Sequence, residues 1–128
     1  MTQANVLNNN LVSYTSPAIN LKATGLTTLF TTQYGMRFVP VEYFFICDTA
    51  SAANGDSGIN IGWTAAAYTD FQTGVSFSAI TANTWYNTIA FGAPLPIFPA
   101  STAIIANVTQ ADTGTTLTGR IVFVGFYI

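Results

Sequence analysis

The sequence predicts an all-β fold, a single-domain jelly-roll or Greek-key β-sandwich of about eight strands. Three observations point there. Short segments rich in Thr, Val, Ile, Phe and Tyr recur along the chain, divided by Gly, Pro, Asn and Asp, which is the pattern of strands and turns. No stretch of useful length repeats its apolar residues with the helical period. The 128 residues contain neither an internal repeat nor a dividing linker, and about eight strands in a chain of this size most often close as a jelly roll or a related Greek key.

Taken in order, residues 1–10 end in Asn8-Asn9-Asn10 and read as a flexible polar N-terminal arm, with the sandwich expected over residues 11–128. Leu11 to Tyr14 is a weak first strand stopped by Ser16-Pro17; Ile19 to Ala23 and Thr27 to Thr32 follow, parted by Gly25. Arg37 to Asp48 is a dominant segment. Strict alternation puts Phe38, Pro40, Glu42, Phe44 and Ile46 on one face and Val39, Val41, Tyr43, Phe45 and Cys47 on the other. Pro40 has no N–H for a ladder, so the strand is at an edge there, bulged, or begins just after it. Thr49 to Gly58 is small and polar, a loop. Ile59 to Ala65 alternates Ile59, Ile61 and Trp63 with Asn60, Gly62 and Thr64, and Gly74 to Ile80 repeats the pattern. Thr84 to Phe91 is a further strand; the prolines at 94, 96 and 99 make an extended connector; Thr102 to Val108 and Thr116 to Ile128 are the last two strands.

The final strand organises the rest. One face carries Ile121, Phe123, Gly125 and Tyr127, the other Val122, Val124, Phe126 and Ile128. A strand in a solvated antiparallel sheet is polar on one face; this one is apolar on both. With no helical layer to cover it, one face belongs to the domain core and the other to a further layer or a second subunit.

Composition narrows the function. Only 6% of residues are charged and the net charge is −2, against about a quarter charged in an ordinary soluble domain, so little repulsion keeps copies apart. Three cations, Lys22, Arg37 and Arg120, form no phosphate-tracking patch, which excludes nucleic acid as the expected partner. The apolar run Ile121 to Ile128 is far shorter than the ~20 residues of a membrane-spanning helix, so no membrane is expected, and the N-terminus has no secretory pattern. Without histidine, no Ser-His-Asp or Cys-His nucleophile can be assembled, and the lone Cys47 in an apolar run reads as a buried small hydrophobe. Asp112-Thr113-Gly114 matches the triplet of aspartic proteases, but it stands late in the chain after Gln110-Ala111 and reads as a turn. The carboxylates Glu42, Asp48, Asp56, Asp70 and Asp112 are scattered, with no close acid-base pair. Asn54-Gly55-Asp56-Ser57, even with Asp48, lacks the acidic density of a calcium site. No catalytic residue, metal or cofactor is expected.

Two sets of residues remain as candidates. Glu42 and Arg120 sit within the two apolar strands, and a charge there is either solvated at an edge or paired. Meeting across a subunit boundary they would set register, so Glu42, Arg120, Val122, Val124, Phe126 and Ile128 are the expected oligomer interface. Tyr68, Trp85 and Tyr86, with Trp63, could stack on sugar rings; the competing reading makes Trp63 core and puts one ring of Trp85-Tyr86 inside and one outside.

A small, nearly uncharged, Thr/Asn/Ala-rich β chain closing on Asp112 to Ile128 resembles the head decoration (cement) proteins of tailed bacteriophages. The resemblance implies a homo-oligomer, a trimer first of all, on the outer capsid surface of the virion, made in the host cytoplasm and tying major capsid protein subunits together. A carbohydrate- or receptor-binding module of a phage tail or lectin type is the alternative from another class.

Overall fold

The two strands that are apolar on both sides lie next to each other in one sheet. The computed structural model describes residues 11–51, 55, 57–77, 79–86 and 96–128, and among these there are nine strands and no helix. They are β1 (Val12–Thr15), β2 (Ile19–Asn20), β3 (Gly25–Thr31), β4 (Phe38–Ala50), β5 (Ser57–Gly62), β6 (Gln72–Phe77), β7 (Thr84–Tyr86), β8 (Ala103–Gln110) and β9 (Leu117–Tyr127). A front sheet runs β1-β9-β4-β7, with β2 continuing the β1 side of β9; a back sheet runs β3-β8-β5-β6. All pairs are antiparallel. Setting β2 aside, the first half of the chain pairs with the second: β1 with β9, β3 with β8, β4 with β7, β5 with β6. A long ribbon rolled onto itself gives these pairs, and the result is the jelly-roll form of the sandwich.

Strand positions follow the sequence pattern with small shifts. The segment expected to loop from Thr49 to Gly58 is strand at both ends, because β4 runs to Ala50 and β5 starts at Ser57. The strand expected at Ile19–Ala23 stops after Asn20, where Lys22 N–H donates to the Asn20 side chain at 2.9 Å and starts a turn. The segment expected to run to Ile80 ends at Phe77, and the one expected to reach Phe91 is described only to Tyr86. The N-terminal arm, Asn54, Asp56 and residues 87–95 lie outside the described residues.

One expectation is overturned. Strict alternation along β4 fails, because the register with β9 slips between Pro40 and Glu42, where Val41 is the extra residue of a bulge. Before it, Phe38 and Pro40 face inward; after it, Tyr43, Phe45 and Cys47 do. A single inserted residue moves every later side chain to the opposite face. Glu42, Phe44 and Ile46 therefore point away from the core to which Phe38 belongs.

The core between the sheets is aromatic. Phe123, fully buried, stacks on Tyr43 with centroids 5.3 Å apart and meets Phe30 and Phe98 at 5.5 Å each. These rings need room, and β9 supplies it with two glycines on its inner face. A Cβ on Gly125 would strike the Val39 carbonyl and the Phe38 ring, and one on Gly119 would strike the Phe45 ring. At the same end of the sandwich the Tyr14 and Tyr127 hydroxyls hydrogen-bond at 2.6 Å. Burial first, and then that bond, push the Tyr127 phenol up to about 12.

Candidate functional site

The outer surfaces of the two sheets differ in chemistry. On the back sheet the outward positions include Thr28, Asn60, Ser76, Asn107 and Thr109, with Leu26 and Ile105 as apolar exceptions and no charge. The β5–β6 loop folds over this side. Asn60 and Asn107 both donate to the Ala67 carbonyl, at 3.2 and 3.5 Å. Asp70 holds the loop at its base, one carboxylate oxygen accepting the N–H groups of Trp63 (2.6 Å) and Thr64 (2.7 Å). Partial burial alone would raise the Asp70 carboxyl, but these hydrogen bonds outweigh it and hold the group below the usual carboxylate range. A polar, internally hydrogen-bonded surface of this kind is suited to water.

The front sheet presents the opposite. Its rows, read from the register, are Val39 beside Phe126, Glu42 beside Val124, Phe44 beside Val122 and Ile46 beside Arg120. β1 adds Ser13 and Thr15 on the far side of Val124 and Val122, and β7 adds Trp85 next to Ile46. Val122 is already covered to 8% exposure, Val124 and Phe126 are half-buried, and Ile128 is half exposed. All six residues expected at an oligomer interface, Glu42, Arg120, Val122, Val124, Phe126 and Ile128, thus lie on one face of one sheet. Phe44 and Ile46, which alternation groups with Glu42, complete it together with Val39, which the bulge at Val41 hides from a sequence reading.

Near the β7 corner this face holds a cleft of about 460 Å³, lined among others by Glu42, Phe44, Ile46, Asp48, Trp85 and Arg120. Trp85 is 62% exposed and meets the edge of Phe44 at 5.7 Å. Arg120 makes a two-pronged pair with Asp48, Nη2 to Oδ1 at 2.8 Å and Nε to Oδ2 at 3.0 Å. Those hydrogen bonds hold the Asp48 carboxyl below its ordinary range and raise Arg120 further. Arg120 therefore has its carboxylate within the chain, and Glu42, two rows away beside Val124, is not it.

The sugar-stacking candidates do not converge. Trp85 is on the front face, whereas Tyr86 turns toward the core and accepts the Thr81 N–H at 2.7 Å through its hydroxyl. Tyr68 sits in the β5–β6 loop at φ +55°, and Trp63 packs on Phe98 with centroids 5.4 Å apart. Of the one-inside, one-outside split that alternation gives for Trp85-Tyr86, the outward ring is Trp85 and the inward one Tyr86. Asp112 is buried in a turn, Oδ2 accepting the Gly114 N–H at 2.7 Å, while its carbonyl takes the Lys22 ammonium at 2.7 Å. Cys47 is fully buried, and burial pushes its thiol up, with Asp48 adding to the shift. Among the described residues no three His, Cys, Asp or Glu side chains gather as metal ligands.

No protein-family model and no curated protein sequence matches the chain. In fold it is similar to a chain in the acidic stable capsid structure of Helicobacter pylori bacteriophage KHP30, with a TM-score of 0.57 and 11% identity, covering 93% of this chain and 91% of that one. It is also similar to a chain in the capsid asymmetric unit of cyanophage Pam1, with a TM-score of 0.52 and 13% identity, covering 92% of this chain and 84% of that one. Both alignments run nearly end to end, so what is shared is the whole jelly roll.

Proposed function

We propose that this chain is a structural protein of a phage virion: a head decoration (cement) subunit that assembles with copies of itself and binds the major capsid protein on the outer surface. The observation that carries this reading is the front face, a largely apolar surface from Val39 and Phe126 to Ile46 and Trp85, interrupted by Glu42 and by the Arg120–Asp48 pair, on a domain whose other side is mostly polar and uncharged. Apolar area of that kind is what obligate interfaces bury, and the sparse charge suits a subunit that is locked in place. The likeness in fold to chains of two phage capsids supports the same reading. A trimer is the assembly that the resemblance implies, each copy giving its front face to a neighbour.

The test is binding to capsids. Purified protein should co-sediment with heads that lack it, and heads without it should lose DNA at a lower temperature. Protein that stays in the supernatant at high concentration defeats the proposal. One observation favours a second reading, a carbohydrate-binding module: the exposed indole of Trp85 stands beside Asp48, Arg120 and Glu42 in the cleft, the pairing of a flat apolar surface with planar polar groups that sugars use. Glycan-array binding that disappears in Trp85→Ala would support it; binding to capsids but to no glycan would not.

A further inference from the structure

The charges on the front face sum to zero within one copy but are not all paired there. Arg120 and Asp48 satisfy each other. Two others remain: Glu42, outward on β4 opposite Val124, and Arg37, outward by alternation from the fully buried Phe38 and backbone-paired with Ile128. Neither side chain forms an ion pair among the described residues. Lys22 is committed at the Asp112 carbonyl and Asp70 at the loop base, both off this face.

A face that closes against a neighbour cannot leave these two groups dry and alone, because an uncompensated buried charge offsets the gain from apolar area. They are of opposite sign, one just before β4 and one on it, and because of the bulge at Val41 they are separated by four residue steps of the facing strand, Ile128 to Val124, which is about 13 Å along the sheet. A second copy shifted or turned by that distance lays its guanidinium on the carboxylate of the first. We infer that the occupant of the front face is another copy of this chain, registered by Arg37 of one copy on Glu42 of the next. This rests on the reading that the front face is a contact between copies. A ring of copies carries one such pair per contact; a two-fold pair carries two. The guanidinium can grip the carboxylate with two parallel hydrogen bonds, so the pair fixes register where flat apolar area would let copies slide.

Charge exchange on the full chain tests it, read by light scattering across a dilution series. Arg37→Glu and Glu42→Arg should each weaken association at least about tenfold, and the double variant should return to within about threefold of the parent, since a paired charge at an interface is coupled by more than one decade. Singles that associate like the parent, or a double no tighter than the singles, overturn the inference while leaving the contact between copies standing. A parent that stays single at every concentration overturns both. A second measurement is independent of affinity. Arg37→Cys mixed with Glu42→Cys should be joined by a short bismaleimide into a mixed dimer, with Cys47 buried and silent; cross-linking no better than in either variant alone counts against the pair.

Discussion

Phe123 and Phe126 are three residues apart on β9 and face opposite ways, so alanine at each separates folding from assembly. Phe123 is fully buried among Tyr43, Phe30 and Phe98 rings that cannot collapse into the space it leaves. A Phe→Ala change in such a core costs about 4 kcal/mol. At about 2.1 cal/mol/K per residue, 128 residues give about 0.27 kcal/mol/K, so the melting temperature should fall by roughly 15 °C. Phe126 is half-buried on the outer face opposite Val39. Its truncation forfeits about half of a full burial, roughly 1 kcal/mol, and about 4 °C. The assay is thermal unfolding at protein concentrations low enough that copies are apart, paired with light scattering at high concentration. Phe126→Ala should lose the large species and the concentration dependence of its melt, whereas Phe123→Ala should be the less stable of the two at every concentration. Equal losses of stability, or a Phe126→Ala protein that assembles like the parent, would refute the division of the two faces.

Gly125→Ala places a methyl against the Val39 carbonyl, which is backbone and cannot swing aside, so a loss of several kcal/mol is expected; Gly74→Ala, at φ +64° with open space around it, should cost only about 1 kcal/mol in a urea titration. The acid limb of stability has a fixed sign. Asp48 and Asp70 have carboxyls depressed in the folded state, so their contribution is complete above the unfolded value near 4 and drains away as pH falls through the folded values. Asp48→Asn with Asp70→Asn should lower the melting temperature at pH 7 and flatten its fall below about pH 4; an unaltered acid slope would count against both hydrogen-bonded carboxylates. Trp85 reports coverage of the front face directly: in a Trp63→Phe background its emission should move to shorter wavelength when copies or capsids bind, and an unmoved spectrum in assembled protein would mean that the cleft stays wet.

The sequence makes β9 legible almost completely, because a strand with period two and no bulge places Ile121, Phe123 and Tyr127 opposite Val122, Val124 and Phe126 with no other information. The same logic fails on β4. Pro40 announces an irregularity, but which residue is the extra one depends on what β9 offers across the gap, and Gly125 at that level is a fact of register. Alternation keeps Phe44 and Ile46 with Glu42, but it puts Val39 on the wrong side of them and Phe38 with Pro40 on their side. Arg120 with Asp48 is a diagonal contact between strands that are far apart in sequence, so a list of scattered carboxylates could not choose Asp48 over Glu42. Asp70 reads as equally idle in the sequence; its position near the end of the short excursion from Gly62 to Phe71 is the available signal, since Asp side chains commonly cap backbone N–H groups in such loops.

The position of β9 between β1 and β4 has a consequence for the order of events in the cell. The chain is made from its N-terminal end, and the front sheet has no middle until the segment from Leu117 to Tyr127 leaves the ribosome. Pairings such as Val12 with Gly125 close loops of the whole domain, the slowest kind of contact to form. β1 and β4 must wait as open edges, and the outer face to which they contribute does not exist until β9 has been made. Until then the front sheet is a set of unpaired strand edges, the part of a β domain most open to mispairing while it folds.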